Sequence, residues 1–468
     1  MQHYYHSVRL DMDKCKGCTT CLKRCPTEAI RIRNNRASIL NERCIDCGEC
    51  IKVCANHAKV AVTDPLESIK RFKYPIALPA PTLYAQFQGV HQPEPIIASL
   101  FRLGFVDVFE VARAAEIVSY AISRAMREED RPKPVISSAC PAILRLIQVR
   151  FPALLDNVID FVSPMEAAAK IAKEEYAQKH GVDKADVGVF FITPCAAKMT
   201  AVKSPVGQEK SHVDGVIAIK DVYAQMRAAM KQGFSPLEID RASVVGIKWA
   251  IPGGEAEAVG IKSSLCVDGI DNVINVLEAI EDARFRNLTY FEGLACVNGC
   301  LGGPLTVENS FVAKNRLRSV MNRTLQKTVQ RREIFEDAVQ TLRMTRPIEP
   351  SDALQLSGTM KERIEREERI ERLTRGLPGL DCGSCGSPSC RALAEDIVNG
   401  YANELNCVFR LNDRINSLAA EMLTLGTSTR YTTGEDMARL RRLHDELSRS
   451  EPSEVPDGGA DDDGGDST

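Results

Sequence analysis

The stretch LACVNGCLGGP, residues 294–304, sets Cys296 and Cys300 four apart on a glycine-rich turn at the end of the strand-like run LTYFEGL. Gly302 and Gly303 carry no Cβ, so the backbone there can come close to a bulky group. Two more cysteines stand in similar settings: Cys140 closes PVISSAC ahead of Pro141, and Cys195 closes VGVFFITPC behind Pro194. Four thiols delivered by three loops at strand ends suit one cubane iron–sulfur cluster. A nucleophilic cysteine would want a histidine nearby, and His91, His180 and His212 lie in unrelated contexts. A core thiol explains one cysteine, not four with this dressing. Cys266, in SSLCVDG, lacks the dressing and reads as core. Lys198, three residues after Cys195, would set a cation beside anionic ligands.

Around these loops, residues 67–345 read as α/β. Strand-like runs are YPIALPA, PVISSAC, VGVFFITPC, SVVGIKWAI and LTYFEGLAC. Helical patterns lie between them: PEPIIASLFRLGF, EVARAAEIVSYAISRAM, SPMEAAAKIAKEEYAQKHG and DVYAQMRAAMKQG. Ligands in such folds collect at the carboxyl ends of strands.

Eight of the 17 cysteines precede residue 55. They form two runs, Cys15-x2-Cys18-x2-Cys21-x3-Cys25-Pro26 and Cys44-x2-Cys47-x2-Cys50-x3-Cys54. Three cysteines two apart can wrap a cubane in one loop, and in two-cluster ferredoxins the fourth of each run serves the other cluster. Cys15, Cys18, Cys21 and Cys54 are therefore expected on one cube, and Cys44, Cys47, Cys50 and Cys25 on the other. Zinc does not call for such tandem runs. Residues 1–66 resemble a bacterial two-cluster ferredoxin domain, an α+β electron relay, with Ala55 where proline often follows the second run.

The middle loops resemble the catalytic domain of the iron-only, di-iron hydrogenases. Ser137-Ser138-Ala139-Cys140-Pro141, Pro194-Cys195-Ala196-Ala197-Lys198 and Cys296-Val297-Asn298-Gly299-Cys300-Leu301-Gly302-Gly303 match that family's three signature loops, in order. The resemblance implies a two-lobed α/β domain in which all four cysteines hold a cubane. Cys300 would also bridge to a di-iron unit carrying carbonyl and cyanide, and Lys198 would hydrogen-bond a cyanide. Cys300 and Lys198 are thus the implied catalytic residues. Pro81 and Thr82 resemble a turn beside the same pocket, and Gly253 and Gly254 resemble its Gly-Gly turn.

Several positions depart from the family. Ala139 stands where strongly catalytic members have a proton-passing cysteine. Ala201 replaces an acid, and Thr193 and Leu294 replace methionines. The ligands are kept and the means of fast turnover are not.

Beyond residue 345 the composition shifts. KERIEREERIERLTR reads as a solvated connecting helix within a linker, 346–376. Cys382-x2-Cys385-x4-Cys390-x16-Cys407 follows in a small, mostly helical module, 377–410. It resembles a single-cluster 4Fe-4S domain, with zinc as the competing reading. Residues 411–450 read as helical, and the acidic tail 451–468, with seven acids and no base, as disordered.

With no run of eighteen apolar residues and no apolar leader, neither a membrane span nor export is expected, and the cytoplasm is the default. Without the tail the chain carries 60 bases and 56 acids, which argues against a nucleic-acid partner. The three modules together resemble the sensory branch of these hydrogenases. The resemblance implies four 4Fe-4S clusters, a di-iron unit, a redox partner such as ferredoxin, maturation proteins, and a signalling partner met through the C-terminal region. The expected function is slow, regulatory, reversible reaction with dihydrogen. The alternatives are an ordinary ferredoxin-linked hydrogenase with an altered proton path, and a non-catalytic iron–sulfur assembly protein.

Overall fold

The repeat in the first sixty residues folds twice over. Its strands are β1 (Val8–Leu10), β2 (Ile30–Arg33), β3 (Arg36–Ile39) and β4 (Lys59–Ala61). β1 pairs antiparallel with β4, and β2 with β3. Asn34 and Asn35 turn the β2–β3 hairpin with φ of 51° and 58°, left-handed values that asparagine tolerates. The two halves match in detail. The sulfur of Cys25 accepts the Ala29 N–H at 3.2 Å, and that of Cys54 accepts the Ala58 N–H at 3.3 Å. Glu28 and His57, three residues after those cysteines, take φ of 50° and 49°.

This computed structural model describes residues 4–233, 240–324, 338–428 and 434–448, and the acidic stretch 451–468 lies outside them. The chain divides into two units, Met1–Ser357 and Gly358–Thr468. The ferredoxin-like repeat and the α/β region thus share the first unit.

Seven further strands build that region: β5 (Tyr74–Pro79), β6 (Asp107–Val108), β7 (Val135–Ile136), β8 (Val187–Thr193), β9 (Gly215–Ala218), β10 (Ser264–Asp268) and β11 (Tyr290–Leu294). They form two parallel sheets, ordered β6-β5-β8-β9 and β10-β11-β7. Parallel strands covered on both faces read as unbroken apolar runs, and all seven residues of β8 are buried. Helices Val111–Glu128 and Pro164–His180 pack together, and the second also lies on β8. Alanines at 112, 114, 115, 121 and 125 keep the first helix slim where it is buried.

Two expectations change. SVVGIKWAI is no strand: Val244–Ile247 is helical and Lys248–Ala250 continues as a 3-10 turn. Ser243 caps it by accepting the Val245 N–H, and a Cβ on Gly246 would lie 1.9 Å from the Ala112 carbonyl oxygen. Capping and close packing on a neighbouring helix override the β-branched residues there. The charged segment also fails to form a free-standing linker. Helix Met360–Gly376 belongs to the second unit, opens with a Thr359–Glu362 capping box, and buries Ile370 completely. Glu367 on it pairs with Arg391 of helix Cys390–Val398.

Candidate metal centre

Each of the three loops that carry Cys140, Cys195, Cys296 and Cys300 follows a parallel strand. Past β7 the chain runs through Ser137–Ala139 to Cys140, the N-cap of helix Pro141–Arg150. Past β8, Pro194 leads to Cys195, the N-cap of helix Ala196–Lys203. Both cysteines therefore stand at the start of a helix that opens directly off a strand end. Past β11 come Cys296 and Cys300, joined by a turn in which Asn298 has φ of 63°.

Strands from both sheets bring these four cysteines onto one cavity. Lys198, Pro81 and Thr82 share its wall with Phe191, Met165 and Trp249. Lys198 Nζ donates to the Ala139 carbonyl at 3.1 Å. Thr193 braces the second loop, its hydroxyl accepting the Cys195 N–H at 3.0 Å. Gly253 and Gly254 stand off the wall: the Gly253 N–H donates to Glu292 at 3.0 Å, so this turn supports a wall residue.

Burial pushes the Cys195 thiol up to about 11, that of Cys296 to about 12, and that of Cys300 further still. The surroundings alone therefore do not ionise these sulfurs, whereas bound metal would. The donor set suits a cluster better than one ion. A single tetrahedral zinc holds its sulfurs about 3.8 Å apart. Among the described residues, only His6, Cys44 and Asp46 draw three ligating atoms within 4.8 Å of one another. Thr82 Oγ1 is buried on the cavity wall without a hydrogen-bond partner among the described residues, a polar atom left for an occupant. The residues fit a thiolate-held cluster.

Sequence reasoning missed two features. One is a buried carboxylate pair. Glu255 accepts the Ser137 hydroxyl at 2.7 Å and the Tyr290 hydroxyl at 2.7 Å. Glu292 accepts the N–H groups of Gly253 and Ala256. Both acids line the cavity. Burial and then the charge of Glu292 push Glu255 up to about 8, and burial raises Glu292 as well. Cys266 is therefore more than core filling, since its half-buried thiol meets Glu292. An acid inside the otherwise apolar β11 was the available signal. The other feature is Asp46, whose carboxylate takes the Val8 N–H at 2.9 Å and His6 Nδ1 at 2.8 Å. A second, smaller cavity shares Ala139 and Lys198 with the first and is lined by Ser138, Glu166 and Ala201.

The ferredoxin-like runs lie in unequal surroundings. Cys18 is exposed, while burial pushes Cys44 and Cys47 well up and Cys50 to about 12. Cys47 also lines the four-cysteine cavity. Lys52 feels the charges of both Cys296 and Cys47, which raise it against the effect of burial. In the second unit, Cys385 feels Cys382 and Cys407, and Cys390 begins its helix with its N–H on Asp381 at 2.6 Å. Among the described residues no helix is long and apolar enough to cross a membrane.

Comparison with known proteins agrees with these modules. Residues 73–304 match the iron only hydrogenase large subunit, C-terminal domain; residues 7–55 match a 4Fe-4S dicluster domain; residues 377–409 match a putative Fe-S cluster domain. The NADP-reducing hydrogenase subunit HndD of Solidesulfovibrio fructosivorans is 24% identical over 384 residues, covering 65% of this chain and 66% of that protein. A cytosolic Fe-S cluster assembly factor NAR1 homolog of Schizosaccharomyces japonicus is 24% identical over 142 residues, covering 30% of this chain and 27% of that protein. Among solved structures, a variant of the [FeFe]-hydrogenase HydA1 from Chlamydomonas reinhardtii has a TM-score of 0.46 at 15% identity, covering 58% of this chain and 91% of that one. The chain spans half to just under two thirds of the length of the hydrogenases it matches.

Proposed function

The chain belongs to the iron-only hydrogenase family and carries iron–sulfur cluster domains, and from that premise we propose that it is a slow, regulatory hydrogenase. The observation that carries this reading is the convergence of four thiols and Lys198 on one cavity at the strand ends.

Cys140, Cys195, Cys296 and Cys300 would hold a cubane, and Cys300 would also help hold a di-iron unit. When bound, that group supplies the heterolytic chemistry of dihydrogen, and the protein supplies burial, charge and proton handling. Lys198, held by the Ala139 carbonyl, places its ammonium on the cavity wall to pair with an anionic ligand. Phe191, Met165 and Trp249 keep the wall apolar and limit water. The methyl group of Ala139 cannot carry a proton. The groups that can are Glu255 and Glu292, which face the same cavity with raised pKa values, so that one proton is retained between them near neutral pH. Ser137 and Tyr290 hold Glu255 in place.

Electrons would enter through the ferredoxin-type clusters, with the Cys44–Cys50 run as the inner station because Cys47 reaches the cavity wall. The fourth cluster would sit on Cys382, Cys385, Cys390 and Cys407. A ferredoxin-like carrier and maturation proteins are the partners this reading requires.

Infrared spectroscopy after maturation with the di-iron cofactor tests it. Carbonyl and cyanide bands are expected; their absence would defeat every hydrogenase reading and leave the assembly-protein reading. With bands present, Ala139→Cys should raise turnover strongly. Rapid turnover in the parent protein would replace the regulatory role with an ordinary ferredoxin-linked hydrogenase.

A further inference from the structure

Helix Val408–Ser428 begins on the residue after Cys407. Along it Val408, Leu411, Ile415, Leu418 and Met422 are all exposed, by 39% to 57%. Their steps of three and four residues are those of alternating a and d positions in a heptad, and Leu425 continues the series in sequence. At about 100° per residue they form one stripe. Phe409, Ala419 and Leu423 are half-buried on a different face, roughly a third of a turn away. Helix Gly434–Ser448 packs against this helix and leaves the stripe open.

The residue types select the occupant. Val408 and Ile415 put β-branched side chains at a, and Leu411 and Leu418 put leucine at d, the combination that favours two parallel strands. A second copy offers the identical stripe in register across a twofold axis. Flanking charges raise no objection: in that register Arg414 faces Ala419 and Glu421 faces Gly426, so no like charges meet. We propose that a second copy of this chain covers the stripe, in a parallel pairing of the Val408–Ser428 helices.

The pairing begins beside Cys407 and sets the two C-terminal cysteine modules at the same end of the joint. Ten stripe side chains, each with roughly 80 Å² to bury, give about 800 Å² in all, below a standard interface. The dimer should therefore dissociate on dilution.

Sedimentation velocity of the full, cluster-loaded chain tests this. The mass should rise with concentration from 51.5 kDa toward twice that value. Leu418→Arg should hold the chain monomeric, whereas Val106→Arg, an exposed apolar position in the first unit, should not. Iron content and far-UV circular dichroism would show that the variant remains folded. As a second route, Leu418→Cys treated with a short bismaleimide should give a covalent dimer that the parent chain does not form. A monomer at every concentration would overturn the proposal. A dimer that Leu418→Cys fails to cross-link would overturn the parallel arrangement.

Discussion

The two N-terminal cysteine runs are near-copies in sequence and unequal in place. The first, Cys15 to Cys25, closes on its own module: a Cβ on Gly17 would lie 2.5 Å from the backbone oxygen of Asn35. The second, Cys44 to Cys54, closes on the α/β region: a Cβ on Gly48 would lie 2.5 Å from the Pro304 side chain. Position for position, Asp46 stands where Gly17 stands, with φ of 52° against 69°. A side chain there is held by hydrogen bonds to Val8 and His6. One repeat thus kept the bare turn, and the other turned the same backbone into an anchor. In the relay proposed above, the second run, whose Cys47 lines the cavity, would be the inner electron station and the first the outer.

The sharpest way to break the comparison is to remove one station. Cys50→Ala should cost about four irons per chain and stop an external donor from reducing the cavity cluster, as read by iron assay and anaerobic reduction kinetics. Equal loss of reduction with no loss of iron would contradict the inner assignment.

Next in size is the joint itself. Gly48→Ala meets both a positive φ of 76° and Pro304, and should destabilise the protein by about 1–3 kcal/mol. Thermal unfolding would report it. Adding Pro304→Ala should recover part of that loss, because the two changes share a contact. The same second change should do nothing for Gly17→Ala, whose obstacle is backbone within its own module.

The cavity has a pH signature that neither station shares. With Glu255 at about 8 in the folded protein against an ordinary 4.5, the folded state binds more protons between those values. Its contribution to stability is therefore full below about 4.5 and is lost as pH rises through about 8. Glu255→Gln should flatten that fall by up to about 1.4 kcal/mol per pH unit, measured by denaturant unfolding across that range. An unchanged slope would mean that Glu255 is ionised throughout.

The smallest effect is electrostatic. Lys52→Met removes a cation that feels Cys47 and Cys296. It should lower the reduction potential of the inner cluster by roughly tens of millivolts, as expected for one charge in a medium of intermediate dielectric. The outer cluster should hold its potential in the same redox titration.

Much of the site was legible because it was written in loops. Cys140, Cys195, Cys296 and Cys300 were each marked by a preceding strand and an adjoining proline, glycine or alanine, and Thr82 by its motif. Glu255 and Glu292 were not marked, since a lone acid in PGGEAE or YFEGL acquires meaning only from what it faces. SVVGIKWAI misled because its β-branched composition is local, while the cap at Ser243 and the pressure of Ala112 on Gly246 depend on a distant helix.

The amino-acid sequence by itself determined the tandem cluster loops, since three cysteines two apart can wrap a cube without help from elsewhere. It also determined the alternation of buried strands and helices, which apolar runs and periodicity dictate locally. The tertiary structure alone decided that four thiols between residues 140 and 300 share one cavity, and that only the second cysteine run reaches it. It likewise decided that two carboxylates are buried side by side. Those outcomes depend on how two parallel sheets present their strand ends to one another, and packing of that range leaves no periodic trace along the chain.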